Sequence, residues 1–197
     1  RGAALTAEGC YAQAREALAC ARTRAEQIPD ATLRAGMIAR VLGNLAVTAW
    51  REGGLDEARE LTSAAREHYA AGGFDLAMAQ VQVTEGQIFE ASGDIPRALH
   101  CWHASLQALG DHGDPRLVAD TFTQAACACA ENTDWTSALL LFGAGEGVRQ
   151  REHTARSWRD RSREIAAREA SEQALGASRA RQLLARGQAM SHREALA

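Results

Sequence analysis

LGNLAVTAWREGGLDEARELTSAA, residues 42–65, decides the fold, because the chain carries two further versions of it. They are VTEGQIFEASGDIPRALHCWHASL at residues 83–106 and FTQAACACAENTDWTSALLLFGAG at residues 122–145. Superposed at a spacing of 40 residues, each has a small residue in its first half: Ala46, Gly86 and Ala126. Each also has an alanine near the start of its second half, at Ala58, Ala98 and Ala138. Gly53 and Gly93 stand five residues before their alanines. Gly9 stands in the same relation to Ala14 in GCYAQAREAL, which adds a truncated fourth unit.

Each unit reads as two antiparallel helices joined by a short turn. Two helices approach closely only where their facing side chains are small, and bulky neighbours then fill the groove against the next pair. Gly53 and Gly93 permit the left-handed backbone that a tight helix end requires. Asp56 and Asp94 are expected to cap the second helix of their pairs. Pro96 falls in a first turn, where its missing N–H costs nothing, and Asp114-Pro115 opens a helix in the same way. One pair cannot bury its own apolar face, so successive pairs must stack into an α-solenoid.

Composition supports an all-α class. Of 197 residues about a fifth are alanine, 5% are aromatic and three are proline. All 22 basic residues are arginine, which reflects the coding bias of a GC-rich genome rather than any one site. The net charge of −3 predicts no global nucleic-acid footprint. The five cysteines, odd in number, form neither a disulfide framework nor CxxC pairs, so a reducing cytoplasm is expected. No apolar run reaches the roughly 20 residues of a membrane span, and no signal peptide opens the chain. The chain begins in what reads as the end of a helix, as expected for a piece of a longer protein.

The small, small and aromatic positions resemble those of the tetratricopeptide repeat. They correspond to Ala46, Ala58 and Thr62, then Gly86, Ala98 and Trp102, then Ala126, Ala138 and Phe142. The departures are a 40-residue period and Thr62 in an aromatic's place. The closing part is similar to the helical domain of LuxR-type bacterial regulators of the large ATP-binding class. Leu139 to Glu146, Leu175-Gly176 and Gly187 through Met190-Ser191 to Glu194–Ala197 carry that likeness. The resemblance implies a right-handed solenoid of about three and a half units over residues 1–150, with C-terminal capping helices over 151–197. It also implies a sensor or protein-interaction domain of a transcriptional regulator, with neither catalysis nor cofactor of its own. Neither a GxxxxGK[ST] phosphate loop nor a recognition-helix pattern occurs in the chain.

Several stretches invite sharper readings. His100 and His103 in HCWH share a helix face, but a zinc site needs three or four ligands, and Trp102 takes the repeat's large apolar position. Cys127 and Cys129 lie on nearly opposite sides of a helix and cannot chelate together. RQREHTARSWRDRSRE, residues 149–164, holds six arginines, yet Glu152, Asp160 and Glu164 interrupt them. Trp158 and Ile165 suggest an amphipathic helix packed on the solenoid's end rather than a phosphate-tracking patch. No catalytic grouping can be assembled.

In this repeat type the first helix of each pair lines the concave groove. The expected binding residues are therefore Arg40, Val47, Trp50 and Arg51 in one unit and Gln80, Val83, Gln87 and Glu90 in the next. Asp120, Thr123, Cys127 and Glu131 follow in the third. Trp50 with Arg40 and Arg51 leads, since tryptophan and arginine are frequent binding anchors. The expected partner is a small-molecule effector or a protein, with no direct nucleic-acid contact, no membrane and a homodimer through the open ends. Two other settings suit the same solenoid: a regulatory arm of a nucleotide cyclase or Ser/Thr kinase, and a stand-alone scaffold.

Overall fold

A computed structural model describes residues 1–110, 113–155 and 161–196; Trp158 and Asp160 lie outside this range. The described residues form eleven helices and no strand, so the chain is all-α. The helices are α1 (Gly2–Ala7), α2 (Tyr11–Glu26), α3 (Ala31–Arg51), α4 (Leu55–Gly72), α5 (Asp75–Ala91) and α6 (Ile95–Leu109). There follow α7 (Pro115–Glu131), α8 (Trp135–Glu152), α9 (Arg161–Leu175), α10 (Ala177–Ala189) and α11 (His192–Ala195). They gather into two compact units, Arg1–Cys101 and Trp102–Ala197.

One turn is used repeatedly. After α3, the Gly53 N–H donates to the Trp50 carbonyl and the Gly54 N–H to the Ala49 carbonyl. This is the paired pattern that satisfies a helix's last carbonyls once one residue turns left-handed. Gly53 does so with φ +86°. Gly54 then serves as the N-cap of α4, and its carbonyl accepts from the Ala58 N–H. The same bonds recur at Gly9-Cys10-Ala14, Gly93-Asp94-Ala98 and Thr133-Asp134-Ala138. The α4–α5 turn repeats it through Gly73 and Phe74, ending on Met78. One residue thus both closes a helix and starts the next, and only Glu52, Gly53 and Gly54 separate α3 from α4.

Asp94 caps α6 through the Arg97 N–H, Asp114 caps α7 through Arg116 and Asp134 caps α8 through Ser137. Asp56 does not cap α4. Gly54 holds that position, and Asp56 sits inside the first turn, paired with Arg59 at 2.8 Å. The reason is that the Schellman-type turn makes its own second residue the N-cap, two positions ahead of the aspartate.

In the first unit α2 packs on α3, α3 on α4 and α4 on α5. Its core joins Ala39, Leu42, Ala65, Tyr69 and Val81, with Phe74 edge-on to Tyr69 at 6.0 Å. Phe74 fits because Gly36 and Gly72 present no side chain: a Cβ on either would stand within 3 Å of its ring. Arg15 of α2 reaches Glu52 and Glu57 across the α3–α4 turn, and its guanidinium holds the Glu57 carboxyl below the usual range.

In the second unit α7 packs on α8, and α8 on α10. Trp102 and Phe122 are fully buried there. The GAGEG run of α8 divides its glycines between two partners. Gly143 and Gly147, four apart and so on one face, meet the backbone of α10. A Cβ on Gly143 would stand 2.3 Å from the Leu184 carbonyl oxygen, and one on Gly147 2.5 Å from that of Gln188. Gly187 answers from α10, where a Cβ would lie 2.2 Å from the Leu140 oxygen. Gly145, on the other side, faces the Ala119 carbonyl of α7. A capping box between Ser191 and Glu194 starts α11.

Two substitutions at the helix joints have opposite expected signs. Thr133 holds φ +62° although it is β-branched, so Thr133→Gly should raise unfolding free energy by about 1 kcal/mol. Gly143→Ala forces a methyl against backbone that cannot retreat, and should lower it by about 1–3 kcal/mol. Urea denaturation of the two variants beside the parent chain measures both.

Candidate functional site

Helices α3, α4 and α5 leave a recess of about 120 Å³ between them. Arg40, Gly43, Asn44 and Val47 come from one stripe of α3, at spacings of three and four residues. Gln80, Val81 and Thr84 come from α5, and Thr62 and Tyr69 from α4, two turns apart. The volume is close to that of a cavity that admits benzene, about 150 Å³.

The lining holds one cation and no anion. Arg40 is exposed, and its guanidinium makes only a 3.4 Å contact to the Met37 sulfur, with no ion pair among the described residues. Tyr69 is 6% exposed, and among the described residues its hydroxyl makes no hydrogen bond. Burial pushes its phenol up from the ordinary value while nearby Arg40 pulls the other way, so the hydroxyl keeps its proton at neutral pH. Asn44 Nδ2 donates to the Arg40 carbonyl, which leaves the amide oxygen turned away from that bond. The Thr62 and Thr84 hydroxyls donate back to the Ala58 and Gln80 carbonyls of their own helices.

Gly43 is the unusual member. It sits in the interior of α3, where glycine is unfavourable, yet an added Cβ would meet nothing within 4 Å. No close backbone approach requires it. What its hydrogen side chain does is keep the recess open.

Of the residues expected to line a groove, Arg40, Val47 and Gln80 meet here. Trp50 packs beside Ala49, Ala58 and Ile88 instead, with the Arg51 guanidinium 5.4 Å above its ring. Gln87 and Glu90 lie farther along α5 and do not line the recess. Val83 and Cys127 are buried. Asp120 and Thr123 belong to the second unit, where both serve Arg149. Arg149 is 7% exposed, and its Nη2 donates to Asp120 Oδ1, Thr123 Oγ1 and the Ala119 carbonyl. Glu131 is held by Arg163 through two bonds of 2.7 and 2.8 Å.

The histidines of HCWH have no common task. His100 is exposed, while His103 Nε2 donates to the Leu196 carbonyl at 3.1 Å. His192 from the C-terminal turn donates to the Leu106 carbonyl at 2.6 Å and sets its ring edge-on to Phe122. Burial pushes the Cys101 and Cys129 thiols up to about 11, so neither is a thiolate at neutral pH. Among the described residues no three His, Cys, Asp or Glu side chains are grouped to hold a metal, and no helix is long and apolar enough to cross a membrane.

Gly43, Thr62, Tyr69, Val81 and Thr84 were not expected at the site. Thr62 carried the available signal: it stands where the other units place Trp102 and Phe142, and the missing ring leaves space. Tyr69, Val81 and Thr84 read as core or as a neighbouring helix face until the three helices are assembled. Compared with known protein families, curated proteins and solved structures, the chain has no match.

Because Gly43 has room for a methyl, Gly43→Ala should raise unfolding free energy by about 0.5–1 kcal/mol, the helix-propensity gain alone. Thermal and urea unfolding check this, and a loss of stability would mean that the position is packed after all.

Proposed function

We propose that the chain is a non-catalytic sensor and protein-interaction domain of a bacterial transcriptional regulator. Its helix pairs form a right-handed, tetratricopeptide-like solenoid with a period of about 40 residues. The recurrence of one turn at Gly53, Gly93 and Thr133 supports that period, since each carries the same bonds. The observation that carries the binding role is the recess of α3, α4 and α5, which offers a guanidinium without an ion pair and a tyrosine hydroxyl without a hydrogen bond among the described residues. Polar groups in a concave, partly apolar site are the usual makings of a ligand pocket.

An effector seated between three helices touches all of them. It therefore favours the arrangement of helix pairs that fits it best, and a regulator responds only if its ligand distinguishes two states. In this reading the protein is cytoplasmic, the fragment contacts an effector or a protein partner rather than DNA, and the parent's ATPase or DNA-binding parts deliver the output.

Replacing the chromosomal Gly43 codon by leucine would fill the recess, and RNA sequencing would compare that strain with a deletion of the gene. The regulator reading expects a common set of transcripts to change in both strains. Transcript profiles indistinguishable from the parent strain in both would sink it.

A further inference from the structure

We propose that the recess between α3, α4 and α5 binds a small organic carboxylate, its anionic end on Arg40 and Tyr69 and its stem on Val47 and Val81. The inference rests on the reading of this recess as the effector site and adds the chemistry of the ligand.

Two observations converge on that class. The lining carries a single formal charge, the Arg40 guanidinium, and no described carboxylate neutralises it. A planar guanidinium presents paired N–H donors in the geometry of a carboxylate. Tyr69 lines the recess with 6% of its surface exposed, and its hydroxyl, free of hydrogen bonds among the described residues and open to solvent, supplies a further donor that a carboxylate oxygen accepts.

The remaining wall decides what the carboxylate is attached to. Val47, Val81 and the Tyr69 ring are apolar, and Gly43 adds width without adding a side chain. A bare inorganic anion would leave this surface unfilled. A space of about 120 Å³ suits a compact stem of roughly the size of a benzene ring. It is too small for a folded peptide segment, and its one cation would leave a second carboxylate unpaired. The ligand is therefore a monocarboxylate, straight-chain or aromatic, with about three to six stem carbons beyond the carboxylate carbon.

The test titrates the full 197-residue chain with butyrate and benzoate, with butyramide and benzamide as neutral counterparts, and with inorganic phosphate. Calorimetry gives affinity, and amide chemical shifts of Gly43, Asn44 and Val81 report the location. The expected result is saturable binding of a carboxylate with shifts at those amides, and at least tenfold weaker binding of its amide and of phosphate. Arg40→Gln should weaken carboxylate binding tenfold or more, since Arg40 is exposed and its replacement leaves the core intact. Gly43→Leu should abolish it.

Equal affinity for carboxylate and amide overturns the anionic assignment, as does indifference to Arg40→Gln. Phosphate binding as tightly as the carboxylates overturns the apolar stem. Absence of shifts with every probe overturns the carboxylate class, while transcripts that still respond to Gly43→Leu would keep the recess as an effector site for another ligand.

Discussion

Five of the helix turns among the described residues depend on one hydrogen bond, from the second residue of the turn back to the carbonyl five residues earlier. At Gly54 and Ala49 it is 2.9 Å, and the same value recurs at Asp94 and Phe89 and at Asp134 and Cys129. The donor residue is also the N-cap of the following helix, so the bond sets the angle at which that helix leaves. Its carbonyl then accepts from an alanine four residues on: Ala58, Ala98 or Ala138. All three alanines are without exposed surface, because this geometry carries position four of the new helix straight against the old one. A larger side chain there would pry the pair apart. The left-handed residue and the alanine recur together at these three turns, whereas the turn at Gly73 sets the part-buried Met78 in the alanine's place.

Small residues have two opposite uses in this architecture. Gly143, Gly147 and Gly187 let α8 and α10 approach backbone to backbone, and any Cβ there would collide with a carbonyl oxygen. Gly43, also in a helix interior, adjoins empty space. In the first case glycine removes a clash, and in the second it preserves a hollow. Thr62 extends the hollow, for a threonine occupies the place where the other units set Trp102 and Phe142. Both of those rings are buried, so their absence near Thr62 leaves volume that the short side chain does not fill.

Arg149 shows why surface character cannot be read from repeat position alone. Three acceptors from α7 gather on one nitrogen of its nearly buried guanidinium, which commits Asp120 and Thr123 to holding α7 on α8. Removing one partner of such a buried pair leaves the other charge without compensation. By contrast, Arg40 of α3 is exposed and makes no ion pair among the described residues. The difference between a structural arginine and a binding arginine lies in what the neighbouring helix presents, and that helix is distant in sequence.

The sequence by itself determined the helical class, the positions of the turns and the small residues at the helix contacts. Those features are local: they follow from propensity, from left-handed backbone at Gly53 and Gly93, and from spacings within a few turns. The same local reading saw that Asp94, Asp114 and Pro96 start helices. It missed that Gly54 displaces Asp56 as a cap, because that depends on hydrogen bonds reaching back across the turn. Only the tertiary structure decided which polar residues share a site. Arg40, Tyr69 and Gln80 come together through the packing of three helices, whereas Trp50, Asp120 and Thr123 are drawn into packing or internal hydrogen bonds. Pairing and burial are properties of facing surfaces, and a sequence pattern specifies only one face at a time.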